Sequence, residues 1–197
     1  YVTNFPHYIP PFPNFRVLLE NMRFFADHGA DVIKVEAKGG DAVRWNGVSE
    51  GRSGSPYENT TFDLENANKR GIVLNLKSET GKEILFKLLE DADIFLTNWR
   101  PQALAKAGLT YEELHEKFPK MVYGTLTGYG DKGPDKDLPA FDTTAFWAKG
   151  GFTRDLAPLV DDYYPLNSPS GVGDTYTGYL LLGEILAALY NRNRTGK

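Results

Sequence analysis

The chain has 197 residues, of which 41% are hydrophobic and 24% charged, enough for one domain with a real core. A net charge of −4 with acids and bases interspersed argues against a nucleic-acid groove or a membrane-surface patch, and no apolar run is long enough to span a bilayer. The absence of Cys removes disulfides, thiolate metal sites and a Cys nucleophile together, and fits a reducing cytoplasm.

Residues 1–14 hold four Pro and several aromatics, so an irregular segment is expected rather than a strand or helix. Asn14 is placed to cap a helix over about Phe15–His28, with Val17, Leu18, Met22, Phe25 and Ala26 inward and Gly29 just past its end. Ala30–Glu36 then reads as a buried strand. Residues 37–67, with Arg44, Trp45 and Arg52 among Gly, Asn and Ser, show no periodicity and read as a long loop of the kind that often carries function.

A second strand is expected at Gly71–Leu76. Ser78 and Thr80 offer overlapping starts for a helix that turns Ile84, Leu85, Leu88 and Leu89 inward. Asp93–Asn98 reads as a third strand. Pro101 suits a first helical residue, Gly108 a helix end, and Thr110-Tyr-Glu-Glu113 a capping box. Met121–Thr127 reads as a fourth strand. Alternation of strand and helix with short connections predicts an α/β fold, a Rossmann-like parallel sheet flanked by helices.

Gly128-Tyr-Gly-Asp-Lys-Gly133 matches G-x-G-x-x-G, but Pro134 and a loop follow, where a dinucleotide site needs a helix N-terminus. A short aromatic helix is expected over Thr143–Lys149, its rings in the core. The last stretch runs from a Gly-rich turn, Ser168-Pro-Ser-Gly-Val-Gly173, through Asp174 into a long apolar segment. It reads as a buried helix over about Thr175–Arg192, with Tyr179, Leu182, Ile185, Leu186 and Leu189 at helical spacing. Asp174 is placed at its N-cap, where free N–H groups and the helix dipole favour the ionised carboxylate and lower its pKa below about 3.9. Such an Asp is either only a cap or a carboxylate able to act as a nucleophile.

Other chemistry is thin. His7, His28 and His115 are scattered without ligand spacing, so no metal site is expected. Neither G-x-x-x-x-G-K-[ST] nor G-x-S-x-G occurs. The chain begins without Met and stops just after a helix, as a piece of a longer protein would.

Five blocks in order carry a resemblance: Phe25-Ala-Asp-His-Gly-Ala-Asp-Val-Ile-Lys-Val-Glu36, Asn68-Lys-Arg-Gly-Ile-Val-Leu-Asn-Leu-Lys-Ser-Glu-Thr-Gly81, Asp91-Ala-Asp-Ile-Phe-Leu-Thr-Asn-Trp-Arg-Pro-Gln-Ala-Leu104, Thr127-Gly-Tyr-Gly-Asp-Lys-Gly-Pro134 and Gly173–Lys197. Together they resemble the class III CoA-transferases, the family of formyl-CoA and crotonobetainyl-CoA transferases. The resemblance implies the N-terminal portion of a large Rossmann-like CoA-binding domain. The smaller domain, a closing Gly-rich loop and the C-terminal return lie beyond Lys197. It also implies homodimers interlocked like links, acyl-CoA and a free carboxylic acid as substrates, and neither a metal nor a prosthetic group. A fragment of this extent is expected to be inactive by itself.

By the same resemblance, Asp174 stands in the place of the nucleophile that forms aspartyl anhydride and aspartyl-CoA intermediates. Leu74, Lys77, Asn98, Trp99 and Arg100 stand at CoA adenosine and phosphate contacts. Lys106 stands where a basic residue meets the phosphates, and Leu138–Phe141 at a further CoA segment. Aromatic residues around Phe141–Trp147 and Phe152 lean towards a bulky 2-hydroxyacyl or aryl acyl group. The family fold also includes α-methylacyl-CoA racemases, which use a His-Asp pair where Phe141-Asp142 stands here. Phe cannot move a proton, so a racemase would lack its base. A non-catalytic CoA-binding module is the alternative of a different class.

Overall fold

A computed structural model of the chain describes residues 2–5, 16–45, 59–157 and 171–196, with only the backbone described for 2–5, 16–20 and 45. Five strands form one parallel sheet in the order β3-β2-β1-β4-β5: β1 Val2–Phe5, β2 Val32–Glu36, β3 Arg70–Val73, β4 Ile94–Thr97 and β5 Val122–Thr125. The parallel α/β expectation holds, with one correction. Val2–Phe5, expected to be irregular, is the central strand and pairs Val2 with both Val32 and Ile94. Its prolines begin at Pro6, just beyond the strand, so no ladder hydrogen bond is lost to them.

The helices are α1 Arg16–Asp27, α2 Thr60–Asn66, α3 Glu79–Glu90, α4 Pro101–Ala107, α5 Tyr111–Lys117, a π-helix at Asp142–Lys149, α6 Phe152–Leu156 and α7 Val172–Thr195. Local signals placed most of them. Ser78 caps α3 by accepting from Gly81 N–H, Pro101 opens α4, and Gly108 closes α4 in the left-handed region at φ 72°. Thr110 and Glu113 form the expected capping box. The 37–67 loop, however, contains a 3-10 turn, Ala42–Trp45, and α2. Asn59 Oδ1 accepts from Phe62 N–H, while its Nδ2 donates to the carbonyls of Val43 and Arg44. That tie depends on residues 15 and 16 positions away, which no local pattern reveals. Asn14, Arg52 and residues 168–170 lie outside the described residues, as do the side chains of Val17, Leu18 and Trp45.

Side chains alternate across β4, so Ile94 and Leu96 enter one core and Phe95 the other. Met22, Phe25 and Ala26 of α1 meet Leu181, Leu182 and Ile185 of α7 in the first core. Leu85 and Leu89 of α3 join Leu74, Phe95, Leu104 and Leu114 in the second. Ile84 and Leu186, expected inward, are instead exposed, as is Tyr179. Hence α7 is not buried all round. It presents Tyr176, Tyr179, Leu180, Leu186 and Tyr190 outward. Among these core elements Asn21 Nδ2 donates to the Gly178 carbonyl at 2.9 Å, joining α1 to α7.

A buried ion cluster sits on β2 and the turn after it. Lys34, with its side chain 3% exposed, lies 2.6 Å from Asp41 and 3.3 Å from Glu36. Arg44 reaches Glu36 through Nε at 3.2 Å and a terminal nitrogen at 3.1 Å. The Phe62 ring lies against both cations. Burial alone would raise the Glu36 pKa, but the Arg44 hydrogen bond and the charges of Lys34 and Arg44 outweigh it and hold it below the usual range. Burial and the nearby Lys34 charge push the Lys69 ammonium down to about 7.

Candidate active site

In parallel α/β sheets, ligands settle beyond the carboxyl ends of the strands where the strand order reverses. Here that reversal lies between β1 and β4. A cleft of about 420 Å³ opens beyond the ends of β4 and β5, lined there by Asn98, Arg100, Leu126, Thr127 and Gly128. Its opposite wall comes from Leu138–Phe141, the π-helix, Phe152 and the first turn of α7. Close approach shapes this wall: a Cβ built on Gly128 would overlap the Ala140 side chain, so only glycine lets the two segments meet.

Asp174 lines the cleft and is 8% exposed. One expectation about it needs correcting. Helix α7 starts at Val172, with Gly171 as N-cap at φ 81°, so Asp174 is the third helical residue and not the cap. A carboxylate in the first turn still faces the positive end of the dipole of a 24-residue helix. The capping role falls to Asp142, a buried residue at the start of the π-helix. Its Oδ1 accepts from Asp174 N–H at 3.1 Å, and its Oδ2 accepts from Gly171 N–H and Trp147 Nε1–H, each at 3.1 Å.

The cleft gathers five of the expected residues: Asn98, Arg100, Leu138, Phe141 and Asp174. Arg100 and Lys136 place cationic groups on its lining, both exposed. Asn98 Oδ1 is buried and has no hydrogen-bond partner among the described residues, an acceptor that a ligand N–H or O–H would satisfy. Leu74, Lys77, Trp99 and Lys106 do not line this cleft. Leu74 packs in the core, Trp99 packs at its margin with its backbone N–H donating to Thr97 Oγ1, and Lys77 and Lys106 are exposed.

Phe146, expected in the core from its place in the short aromatic helix, lines the cleft together with Phe152. Phe146 and Phe152 stack with centroids 4.7 Å apart, and Phe146 also lies parallel to Tyr176 at 6.4 Å. Phe146 falls in the short aromatic helix legible from the sequence, but its orientation depends on the π-helical winding. The loop Gly128–Gly133 opens no helix, so its glycine string lacks the geometry that binds a pyrophosphate. Lys149 of the π-helix pairs with Asp135 and lies 4.9 Å from the Tyr129 ring centroid, tying that loop to the cleft wall. Among the described residues no group of His, Asp and Glu could hold a metal ion, and no helix is long and apolar enough to cross a membrane.

A parallel sheet, with a cleft beyond the ends of β4 and β5 and a carboxylate of the first turn of α7 in its wall, defines an α/β protein. The CoA-transferase family III profile matches residues 21–197, and the chain belongs to that family. It is 55% identical over 175 residues to the cinnamoyl-CoA:phenyllactate CoA-transferase of Clostridium sporogenes, covering 89% of this chain and 42% of that protein. It is 44% identical over 175 residues to the (R)-2-hydroxy-4-methylpentanoate CoA-transferase of Clostridioides difficile, covering 89% and 43%. Among solved structures, a CAIB/BAIF family protein from Brucella suis superimposes with a TM-score of 0.79 at 30% identity, over 100% of this chain and 50% of that one. The chain thus spans less than half the length of the curated relatives it matches.

Proposed function

We propose that the whole protein transfers CoA from an acyl-CoA to a free carboxylic acid, with Asp174 as the covalent nucleophile, and that this chain is the N-terminal part of its large CoA-binding domain. The observation that carries this reading is the placement of Asp174, a buried carboxylate in the first turn of α7 and in the wall of the cleft beyond the ends of β4 and β5. A nucleophilic carboxylate must be ionised, and the positive end of the helix dipole favours that form.

The steps balance without an outside reagent. An Asp174 carboxylate oxygen attacks the thioester carbonyl carbon, the C–S bond breaks, and CoA leaves as the thiolate. The thiolate attacks the aspartyl carbonyl of the mixed anhydride, releasing the donor acid as its carboxylate and leaving an aspartyl-CoA thioester. The acceptor carboxylate attacks that thioester and expels the thiolate, which then takes the acceptor's acyl carbon from the second anhydride and regenerates Asp174. Arg100 and Lys136 supply positive charge at the cleft for the phosphates or carboxylates of such substrates. Lys77, Lys106, Leu74 and Trp99 complete the CoA contacts in this reading.

The stacked Phe146–Phe152 pair supports a bulky acyl group, a 2-hydroxyacyl or aryl acid. The names of the two curated relatives carry the same two acid classes. A racemase is disfavoured because Phe141, half-buried in the cleft wall, has no proton to exchange. An interlocked homodimer forms part of the proposal, and the outward apolar face of α7 supports a further packing surface.

The test is a trap on the whole protein. It is incubated with cinnamoyl-CoA or a 2-hydroxyacyl-CoA, quenched with hydroxylamine, digested, and the peptide containing Asp174 is weighed. A hydroxamate at Asp174 that requires acyl-CoA supports the transferase. An unmodified Asp174 across a broad acyl-CoA panel, with CoA still bound, rejects it in favour of a binding module.

A further inference from the structure

We propose that Asp142 is a positioning residue for the nucleophile, holding the Asp174 backbone so that its carboxylate meets the thioester carbon. This rests on the reading of Asp174 given above. A helix leaves its first N–H groups without intrahelical partners, and a side chain at the N-cap normally accepts from one of them. The N-cap of α7 is Gly171, which has no side chain. The acceptor comes instead from Asp142, about thirty positions earlier, on the π-helix that shares this wall of the cleft.

The geometry is specific. One carboxylate oxygen takes the N–H of Asp174 itself, and the other takes the N–H of Gly171 and the indole N–H of Trp147. Asp142 therefore grips the first turn of α7 at two points, one of them the residue that carries the nucleophile. Between those points Gly173 has to be glycine: a Cβ there would overlap both Asp142 Oδ1 and the Phe146 ring. Asp142 is buried, so its hydrogen bonds to these donors are shielded from water.

An Asn in this position cannot accept all three donors. With its NH2 towards Gly171 and Trp147 it strands two donors, and with the reverse orientation it strands the N–H of Asp174. Either way the turn loses a tether, and misplacing a reacting group by about 1 Å can cost on the order of 10²-fold in rate.

The experiment measures the rate at which the whole protein forms the covalent adduct at Asp174 from cinnamoyl-CoA, alongside calorimetric affinity for CoA. Asp142→Asn should slow adduct formation on the order of 10²-fold while the CoA dissociation constant stays within about threefold. Asp142→Glu, which keeps the charge and moves it by one methylene, should also be slow and carries the test if the Asn variant does not fold. Leu114→Ala, a cavity in the remote core, should lower stability and leave the adduct rate unchanged. An adduct rate within about threefold of wild type in a folded Asp142 variant overturns the proposal, as does an equal slowing in Leu114→Ala. A wild-type protein that binds acyl-CoA and forms no adduct removes the nucleophile reading itself, and the role of Asp142 falls with it.

Discussion

Replacing Lys34 with Met should destabilise the protein far more than an ordinary surface change. The Lys34 side chain is 3% exposed, and its ammonium lies 2.6 Å from Asp41 and 3.3 Å from Glu36. Met keeps an unbranched stem of similar length, so the change removes mainly the charge and its contact with the Phe62 ring. Glu36 retains Arg44, but among the described residues the hydrogen bond Asp41 keeps is the one from Val43 N–H to its Oδ1, at 2.9 Å. Breaking a buried pair by removing one partner costs about 3–5 kcal/mol, because a carboxylate is left buried without its counter-charge. Urea unfolding of the whole protein at neutral pH measures the loss.

The acid limb of the same experiment provides a second readout. Glu36 is held below its unfolded pKa, so its stabilisation is present above the unfolded value and disappears as pH falls through the folded one. Without Lys34 one of the two cations holding Glu36 down is gone, so this acid-dependent part of stability should shrink. A loss under about 1 kcal/mol at neutral pH, with an unchanged acid limb, would refute the assignment of Lys34 as the charge that neutralises this cluster.

Three further outcomes are expected. Phe95→Ala empties a fully buried site in β4 that packs against Tyr123 at 5.4 Å and should cost about 3–5 kcal/mol in urea unfolding. Lys69 is pushed down to about 7, so between there and its unfolded value the unfolded chain binds the extra proton and stability rises with pH; Lys69→Met should flatten that rise in unfolding curves taken from about pH 7 to 10. Thr110→Ala removes the Thr half of the α5 capping box and should cost about 1 kcal/mol, with no change in CoA affinity measured by calorimetry.

Much of the fold follows from short-range rules that a sequence displays. Ser78, Pro101, Gly108 and Thr110 act within a turn of their own position, so their helices begin and end where local chemistry places them. The buried strand β4 shows as an apolar run because both of its faces are covered in a parallel sheet. The central strand was hidden because four residues beside a proline-rich run present too short a pattern to read. Its pairing with β2 and β4 is a matter of distant partners.

The site divides along the same line. A carboxylate, Asp174, at the start of the last helix, the alternation of strand and helix, and motifs that resemble those of one family of CoA-transferases are all legible along the chain. Each rests on residues adjacent in the chain. Folding is what brings Asp142 rather than Asp174 to cap that helix, stacks Phe146 and Phe152 on the cleft wall, and sets Asn98 and Arg100 in the same cleft as Asp174. The physical reason is range. A cap or a periodic face is written within a few residues, whereas a carboxylate that satisfies N–H groups about thirty positions away exists only once the sheet has brought those segments together.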